Sequence, residues 1–393
     1  MKVVTDEKKI DEILTRGVER VYPDKSTLER VLMSGKKIRL YYGIDPTGST
    51  LHLGHLVQLL KLRKFQDLGH EVIILIGDFT AQIGDPTDKQ ATRKLLNHQQ
   101  VLENASEYKK QIGKILNLKK SNIHFVYNEK RTNKLTPKDI LELASNFTVS
   151  NLLTRNMFQE RIKAGREVYA HEFLYPIFQA YDAVTMDVDL QIGGNDQMFN
   201  MLAGRDLMKR KKHKEMFVLT TKLLIDPTGK KMGKTEDNMV TLNDSADNVF
   251  SKIMNWPDSM IALGFEICTG LGFSHFIKEK PLDQKMKLAY EIVKIYHGEE
   301  KAQKAQENFV NTFQKKEIPD NIKEIKVRSG EFLSEVLVKN KILSSKSEWR
   351  RLVLSKAIHD LSKTQNITDI NLKISENLTL KIGKKKFIKV LVN

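Results

Sequence analysis

The stretch KIRLYYGIDPTGSTLHLGHLVQLLKLRKFQDL, residues 37–68, decides the fold of this chain. Apolar side chains alternate from Ile38 to Ile44 and predict a strand, whereas Leu56 to Leu68 carries them at helical spacing. The cluster His52-Leu-Gly-His55 therefore lies where a strand turns into a helix. Such a turn points backbone N–H groups and the positive helix end at an anion, so it predicts a phosphate site.

A second cluster, Lys231-Met-Gly-Lys-Thr235, follows about 175 residues later. Its two lysines are mobile cations suited to the charge that builds on a departing pyrophosphate. His52 and His55 can donate to phosphate or ribose oxygens, and Gly54 lets a nucleotide approach the backbone. Each cluster alone is equally consistent with an ordinary surface turn. In this order and at this separation, the two favour an enzyme that cleaves ATP between its α- and β-phosphates.

The composition indicates a globular protein with a polyanionic partner. The 393 residues are 40% hydrophobic and 29% charged, which predicts two or three domains. No apolar run has the length of a membrane span, and the single cysteine excludes an internal disulfide, so we expect a cytoplasmic location. The net charge of +16 predicts binding to nucleic acid, and residues 328–393 hold 14 basic against 6 acidic residues. The alternative is a scatter of lysine over all solvated faces.

Strand-like and helical stretches alternate between residues 37 and 225. The predicted strands are Ile38–Ile44, Glu71–Gly77, Ile123–Tyr127, Val188–Ile192 and Phe217–Thr220. This alternation predicts an α/β fold with a doubly wound parallel sheet and sites at the carboxyl ends of its strands. The expected domains are a catalytic domain at 1–243 with a helical insertion at about 130–172, an all-helical domain at 244–315, a linker at 316–329 and a basic domain at 330–393. Within the insertion, one helix is expected over Val149–Ala164.

Two further groups of polar residues are candidates for a binding pocket. Tyr175, Gln179 and Asp182 are spaced by four and three, so they share one face of a helix. That face either lines a pocket or is the solvated side of an amphipathic helix, and the spacing leaves both open. The segment Gly193-Gly-Asn-Asp-Gln197 ends a strand in a turn with a carboxylate, a pattern that by itself is most often a plain β-turn.

Together these motifs resemble those of the class I aminoacyl-tRNA synthetases. The segment YPIFQAYD, residues 175–182, resembles the tyrosyl family of bacterial type, and the resemblance covers nearly the whole chain. It implies a Rossmann-like catalytic domain that forms tyrosyl-adenylate and pyrophosphate from L-tyrosine and ATP, then transfers tyrosine to the 3′ end of tRNA(Tyr). It also implies a homodimer, with much of the interface formed by the insertion. Mg²⁺ is expected with the nucleotide, although the sequence offers no convincing protein cage for it.

The resemblance implies a role for each residue of the site. Tyr41 and Asp182 would hydrogen-bond the phenol hydroxyl of the substrate. The residues implied to bind tyrosine are Tyr41, Thr80, Asp85, Tyr175, Gln179, Asp182 and Gln197. Those implied to bind ATP are Gly43, Asp45, Gly54, Gly194, Asp196 and Lys234. Those implied to act in catalysis are Thr47, His52, His55, Lys231, Lys234 and Thr235. Because positioning and charge stabilisation carry phosphoryl transfer, no side-chain nucleophile is expected.

The C-terminal segment resembles an S4-like RNA-binding domain, a small α+β fold. The residues implied to contact tRNA phosphates are Arg350, Arg351, Lys384, Lys385 and Lys386. Trp349 stands where a small residue is usual, which leaves the local packing open.

Two other interpretations of the chain stay open. One is a synthetase specific for tryptophan, and the other is an RNA-binding paralogue without catalytic activity. Tyr41 with Asp182 argues against the first, and the two histidines and two lysines of the ATP clusters argue against the second.

Overall fold

The computed structural model describes residues 2–86, 96–225, 239–314, 323–363, 365–383 and 386–392. The chain divides into two compact units, Met1–Gln303 and Lys304–Asn393.

The described residues of the first unit contain a six-stranded sheet. Its strands are β1 Val18–Tyr22, β2 Arg39–Ile44, β3 Glu71–Ile76, β4 Ile123–Tyr127, β5 Leu190–Gly194 and β6 Phe217–Thr221. They lie in the order β1-β6-β5-β2-β3-β4, and all neighbours are parallel except β1 and β6. Chain order reverses between β2 and β5, which is the switch point where open α/β sheets bind ligands. The predicted doubly wound sheet is confirmed.

Burial explains which strands the sequence predicts. β3 and β5 are buried on nearly every residue, as expected for parallel strands covered on both faces. The sequence of β3, EVIILI, reads as an apolar run, whereas that of β5, LQIGG, includes Gln191 and two glycines. β1 has the sequence VERVY, is only partly buried and pairs with β6 alone. The sequence gives no apolar run there, so this edge strand is not among the predicted ones.

Helices cover the sheet and form the rest of the first unit. Those before the insertion are α1 Glu7–Thr15, α2 Lys25–Met33, α3 Leu53–Asp67, α4 Thr80–Ile83 and α5 His98–Ile112. Those of the insertion and after it are α6 Glu129–Thr132, α7 Pro137–Ala144, α8 Val149–Leu153, α9 Asn156–Lys163, α10 Leu174–Met186 and α11 Met198–Lys212. The remaining ones are α12 Ala246–Met254, α13 Ile261–Cys268, α14 Pro281–His297 and α15 Glu299–Phe309, the last of which crosses the boundary between the units. Short 3₁₀ turns lie at Ala170–Phe173, Asn195–Gln197, Asp258–Met260 and Phe273–His275, and a π-helical turn at Val310–Gln314.

The single helix expected over Val149–Ala164 is wrong. The structure breaks it into α8 and α9, with Arg155 in an extended conformation between them. The Thr154 hydroxyl donates to the Asn151 carbonyl, and the Gln159 amide donates to the Leu153 carbonyl. These side chains satisfy carbonyls that a continuous helix would have used, so the break is locally stable.

The second unit begins with the end of α15 and the π-helical turn Val310–Gln314, and its other described residues form a second sheet and two helices. Its strands are β7 Lys323–Val327, β8 Ile358–Asp360, β9 Gln365–Asn366, β10 Leu378–Ile382 and β11 Lys386–Val392, and its helices are α16 Leu333–Lys339 and α17 Lys346–Leu354. The sheet order is β7-β11-β10-β8-β9, with β7 parallel to β11 and the other pairs antiparallel.

β7 lies inside residues 316–329, the segment expected to be a linker. That interpretation is wrong for Lys323–Val327, whose sequence KEIKV buries Ile325 and Val327 in the core of the second unit. Three of its five residues are charged, so the stretch looks polar although every second side chain is apolar. The alternation marks an edge strand with one buried face.

Trp349 packs in the core of the second unit. It is 1% exposed, and its indole N–H donates to the Ile370 carbonyl at 2.8 Å. A buried indole needs such a partner. The packing that the sequence left open at this position is therefore complete.

Trp349→Phe is expected to lower the free energy of unfolding of the second unit by about 1–3 kcal/mol, because the Ile370 carbonyl loses its donor and the core loses contact area. Hydrogen exchange over residues 323–392 measures this. Leu354→Ala, at the exposed end of the same helix, is the matched control and should stay within about 0.5 kcal/mol of the wild type. Equal protection in the two variants would contradict the expectation.

Candidate active site

The predicted histidine turn opens α3 at the carboxyl end of β2. His52 is the N-cap: its Nδ1 accepts from the Gly54 N–H at 3.0 Å, and His55 Nδ1 accepts from the His52 N–H at 3.2 Å. The two ring centroids lie 4.0 Å apart. In each neutral imidazole the proton is then on Nε2, which makes that atom a donor suited to a phosphate oxygen.

Glycine is required at the centre of this turn. A Cβ at Gly54 would lie 2.7 Å from Cε1 of the His52 ring, which is closer than such atoms approach. Because Gly54 has no side chain, the His52 ring can lie against the first turn of α3.

A network of buried polar side chains links the loop after β2, which contains Asp45, to α10, which contains Tyr175. The Tyr175 hydroxyl donates to Asp45 Oδ2 at 2.8 Å, and the Thr80 hydroxyl donates to Asp45 Oδ1 at 2.7 Å. Removal from water raises the pKa of Asp45 to about 7, although both donated hydrogen bonds act in the opposite direction. A Cβ at Gly77 would lie 2.0 Å from Asp45 Oδ1, so that glycine makes room for the carboxylate.

Asp182 lies at the buried end of the same network. It is fully buried on α10, and it accepts from Asn128 Nδ2 at 2.9 Å and from Arg131 Nη2 at 3.2 Å. The Asn128 amide also donates to the Thr80 hydroxyl at 3.2 Å, which joins Asp182 to the Asp45 cluster. Tyr41 is fully buried, and its hydroxyl has no hydrogen-bond partner among the described residues.

Two effects set the charge state of these groups. Burial raises the pKa of Asp182 to about 6, against the lowering effects of Asn128 and Arg131. Burial, and then the charge of Asp182, raises the pKa of Tyr41 well above 10. At neutral pH the phenol is therefore a neutral donor or acceptor and the carboxylate is an ionised acceptor.

The pKa of Asp182 predicts a pH dependence for binding a donor in this pocket. Ionised Asp182 accepts strongly and the protonated form does not, so kcat/KM for the amino acid should fall as the pH drops through about 6. Arg131→Met removes a charge that lowers the pKa of Asp182, so the acidic limb of the pH profile of kcat/KM should move to higher pH. A pH profile of kcat/KM for both proteins measures this, and an unmoved or acid-shifted limb in the variant would contradict it.

Asp85 and Gln197 form a second group of polar side chains in the candidate site. Gln197 Nε2 donates to Asp85 Oδ2 at 2.7 Å, and Asn200 Nδ2 donates to Gln197 Oε1 at 3.1 Å. Arg155 Nη2 lies 3.6 Å from Asp85 Oδ1. The Arg155 side chain is 4% exposed, and its guanidinium also stacks on the ring of Phe199, at 5.1 Å from the centroid.

The glycine turn after β5 brings Asp196 to the same edge of the sheet. A Cβ at Gly194 would lie 2.5 Å from Asp196 Oδ1, so a side chain there would displace the carboxylate. Burial, and then the charge of Asp196, raises the pKa of the Tyr42 phenol on β2. Gly43 is exposed and would accommodate a Cβ at ordinary contact distances of 3.9 Å, so space alone does not require glycine there.

The remaining predicted residues divide into three groups. Thr47 is exposed beside the histidine turn and Gln179 is half-buried on α10. Arg350 and Arg351 are exposed on α17, and Lys386 opens β11 with its Nζ donating to the Ile342 carbonyl. The residues that lie outside the described part of the chain are Lys231, Lys234, Thr235, Lys384 and Lys385.

Three residues of the site are absent from the sequence prediction. Asn128 and Arg131 follow the carboxyl end of β4, and the rule that sites form at strand ends could have indicated them. Arg155 lies between the two short helices of the insertion. No local pattern marks Arg155, because its partner Asp85 is brought to it only by the fold.

Two further findings concern metals and membranes. Within the described ranges, no group of three or more His, Cys, Asp or Glu side chains is placed to hold a metal ion. None of the described helices combines the length and apolarity of a membrane span. The cytoplasmic location stays a prediction.

A parallel sheet with a histidine turn and an acidic glycine turn at its switch point is the arrangement of a class I tRNA synthetase. The model of the family described as tRNA synthetases class I (W and Y) matches residues 33–314. Curated tyrosine–tRNA ligases are similar over nearly their whole length: the Carboxydothermus hydrogenoformans protein is 40% identical, with 97% of each chain covered. The Clostridium acetobutylicum tyrosine–tRNA ligase 2 is 41% identical, over 98% of this chain and all of that one. The chain belongs to the tyrosyl-tRNA synthetases, the tyrosine branch of this family.

Solved structures support the fold. The Aspergillus nidulans mitochondrial tyrosyl-tRNA synthetase superposes with a TM-score of 0.64 at 21% identity, covering 78% of this chain and 94% of that one. The Archaeoglobus fulgidus tyrosyl-tRNA synthetase, solved with L-tyrosine, gives a TM-score of 0.60 at 21% identity over 77% of this chain and all of that one. At this identity the likeness concerns the fold alone.

Proposed function

We propose that this enzyme activates L-tyrosine with ATP to tyrosyl-adenylate and transfers the tyrosyl group to the 3′ end of tRNA(Tyr). One observation carries the choice of amino acid: the Tyr41 hydroxyl has no partner among the described residues, and the neighbouring carboxylate of Asp182 is buried. An acceptor and a hydroxyl at one buried point suit a phenol, which can both donate and accept. Phenylalanine would leave both groups unpaired.

The amino acid end of tyrosine is assigned to the group around Asp85. Its carboxylate, with Tyr175 and Gln179, would hold the α-ammonium, while Gln197 orients the α-carboxylate. The hydrogen bond from Gln197 to Asp85 supports this pairing, because it fixes the two groups side by side. Arg155 adds a buried cation whose Nη2 lies 3.6 Å from Asp85 Oδ1.

The nucleotide end is assigned to the carboxyl edge of β2 and β5. Asp196 would accept from a ribose hydroxyl, and Thr47, His52 and His55 would donate to phosphate oxygens. An oxygen of the tyrosine carboxylate attacks the α-phosphorus, the bond from that phosphorus to the bridging oxygen breaks, and pyrophosphate leaves. The residues proposed for the pyrophosphate, which lie outside the described part, are Lys231, Lys234 and Thr235.

Mg²⁺ enters this proposal as a companion of ATP. It usually binds substrate phosphates together with several waters and one or two carboxylates, so a cage of protein ligands is not required. It would neutralise charge on the triphosphate, while the residues above orient the reacting groups.

The second unit is proposed to be the S4-like domain that binds tRNA. Arg350 and Arg351 are exposed on one helix, and Lys386 lies at the start of β11. Such contacts bind phosphates without reading bases, so their loss should weaken tRNA binding without changing adenylate formation.

The insertion is proposed to form the interface of a homodimer. Several of its large apolar side chains are exposed, namely Leu141 at 72%, Val149 at 65%, Ile162 at 50% and Tyr169 at 53%. These exposed apolar side chains on one insertion support the proposal that it contacts a second protein chain. Leu141→Glu together with Val149→Glu should convert the dimer to a monomer in sedimentation velocity, and a wild-type chain that sediments as a monomer would contradict the interface.

The test of the full activity is tRNA charging. Purified enzyme with ATP and Mg²⁺ should attach tyrosine to a transcript of tRNA(Tyr) and should not attach tryptophan to tRNA(Trp). Charging with tryptophan would make this a tryptophan-specific enzyme. Binding of tRNA(Tyr) without charging would favour the inactive RNA-binding paralogue.

A further inference from the structure

A short segment of chain, residues 239–244, lies against the histidine turn; we call it the strap. Thr241 forms an antiparallel bridge with His52. On one side of this bridge the Leu53 N–H donates to the Val240 carbonyl at 3.1 Å, and on the other the Leu242 N–H donates to the Leu51 carbonyl at 2.8 Å. The backbone on both sides of the capping histidine is thus held by the strap.

Lys252 holds the strap. Its Nζ donates to the Met239 carbonyl at 2.9 Å and to Asp244 Oδ2 at 2.8 Å. The same Asp244 oxygen accepts from the Thr241 N–H at 2.7 Å. The Lys252 ammonium therefore links the two ends of the strap, Met239 and Asp244. The Asp244 carboxylate in turn accepts from Thr241, the residue that is bridged to His52.

The position of Lys252 is fixed by the helical region. Lys252 lies on α12, which is capped by Ser245 and buries Val249, Phe250 and Ile253. Its side chain is 32% exposed and that of Asp244 is 16% exposed, so this ion pair is better shielded from water than a surface pair.

The strap itself is firmly packed. Val240 is 2% exposed and Leu242 is 1% exposed. A second lysine, Lys114, donates to the Leu242 carbonyl at 3.0 Å. The strap is buried and held by hydrogen bonds at both ends, so a displacement of the strap would also displace the backbone paired with it. That backbone is the histidine turn.

We propose that Lys252 is a positioning residue for the reaction with ATP, acting through the strap on His52. This inference rests on the proposed function, since it assumes that the histidine turn contacts the nucleotide. Lys252 touches neither substrate in this account. It sets the placement of the turn that would contact the phosphates, and a misplacement of about 1 Å in such a group can lower a rate about 100-fold.

The test compares Lys252→Met with Lys252→Arg and with a matched control in the full-length enzyme. The control is Lys285→Met, which removes a lysine that pairs with Asp258 at 2.6 Å in the same helical region but does not touch the strap. Three quantities are measured: kcat for tyrosine-dependent ATP–pyrophosphate exchange, the tyrosine dissociation constant, and the fraction of enzyme that forms adenylate in a single-turnover burst. The burst corrects for any misfolded enzyme.

Lys252→Met is expected to lower kcat per active site about 10- to 100-fold, with tyrosine affinity within about twofold of the wild type. Lys252→Arg should recover most of the rate, because a guanidinium can bond both the Asp244 carboxylate and the Met239 carbonyl. An unchanged kcat, or an equal loss in Lys285→Met, would overturn the proposal. The proposed function fails by a different result, namely no tyrosine-dependent exchange in the wild-type enzyme.

Discussion

Asp182→Asn is expected to lower kcat/KM for tyrosine by about 10- to 150-fold, while kcat/KM for phenylalanine stays nearly unchanged. The substrate phenol loses a charged acceptor, and a hydrogen bond to a charged group is worth about 1.5–3 kcal/mol. The asparagine would also set its own amide donors against Asn128 and Arg131, which already donate to this position. Asp182→Asn should therefore weaken binding of the substrate's phenol hydroxyl.

The discrimination between the two amino acids is the more informative readout. A site built around a substrate hydroxyl rejects the analogue that lacks it, and tyrosyl-tRNA synthetases are the standard example, with about 10⁵ against phenylalanine. That magnitude belongs to the family and does not come from this structure. In Asp182→Asn the ratio should fall by the same factor as kcat/KM for tyrosine.

The matched control is Asp187→Asn at the C-terminal end of the same helix. Asp187 is exposed and in the left-handed conformation, which asparagine tolerates. Exchange kinetics with both amino acids should match the wild type in this control. If Asp182→Asn lowered kcat/KM for phenylalanine as much as for tyrosine, Asp182 would have a structural role and the phenol assignment would be wrong.

His52→Asn is expected to lower kcat for adenylate formation by about 10²–10³-fold with little change in tyrosine affinity. Removing one donor to the charge that develops in a transition state costs about this much. Asparagine keeps an acceptor for the Gly54 N–H, so the N-cap of α3 is retained. A lower rate in this variant would therefore not result from fraying of the helix. The donor on Nε2 is what disappears.

Single-turnover formation of tyrosyl-adenylate measures the rate, and equilibrium dialysis measures tyrosine binding. His213→Asn is the control, since His213 is exposed at the end of α11 in a left-handed conformation that suits asparagine. A variant whose tyrosine affinity falls while its rate is retained would refute the assignment of His52 to the phosphates.

The sheet of the first unit could be predicted because its parallel strands are buried on both faces. β3 appears in the sequence as an apolar run, and β2 is apolar at most of its positions. β1 and β7 could not be found this way. Each lies at an edge of its sheet and mixes charged with apolar residues, so neither stands out as an apolar run. Each becomes a strand only by pairing with its neighbour in the sheet.

The candidate site likewise contains residues that the sequence predicts and residues that it does not. His52, Gly54 and His55 form one turn, so their arrangement is local and their sequence pattern predicts it. The partners of Asp182 and Asp85 come from the segment after β4 and from the insertion. These are long-range contacts between residues about 50 or more positions apart, and no spacing rule indicates them.

The central claim is that one pocket recognises a phenol and activates it with ATP. It is tested most directly by ATP–pyrophosphate exchange without tRNA, run with tyrosine, tryptophan and phenylalanine on the wild-type chain. Exchange is expected with tyrosine, and none above background is expected with the other two amino acids at matched concentrations. Exchange driven by tryptophan would contradict the Tyr41 and Asp182 pocket, and no exchange with any of the three would contradict the adenylation chemistry.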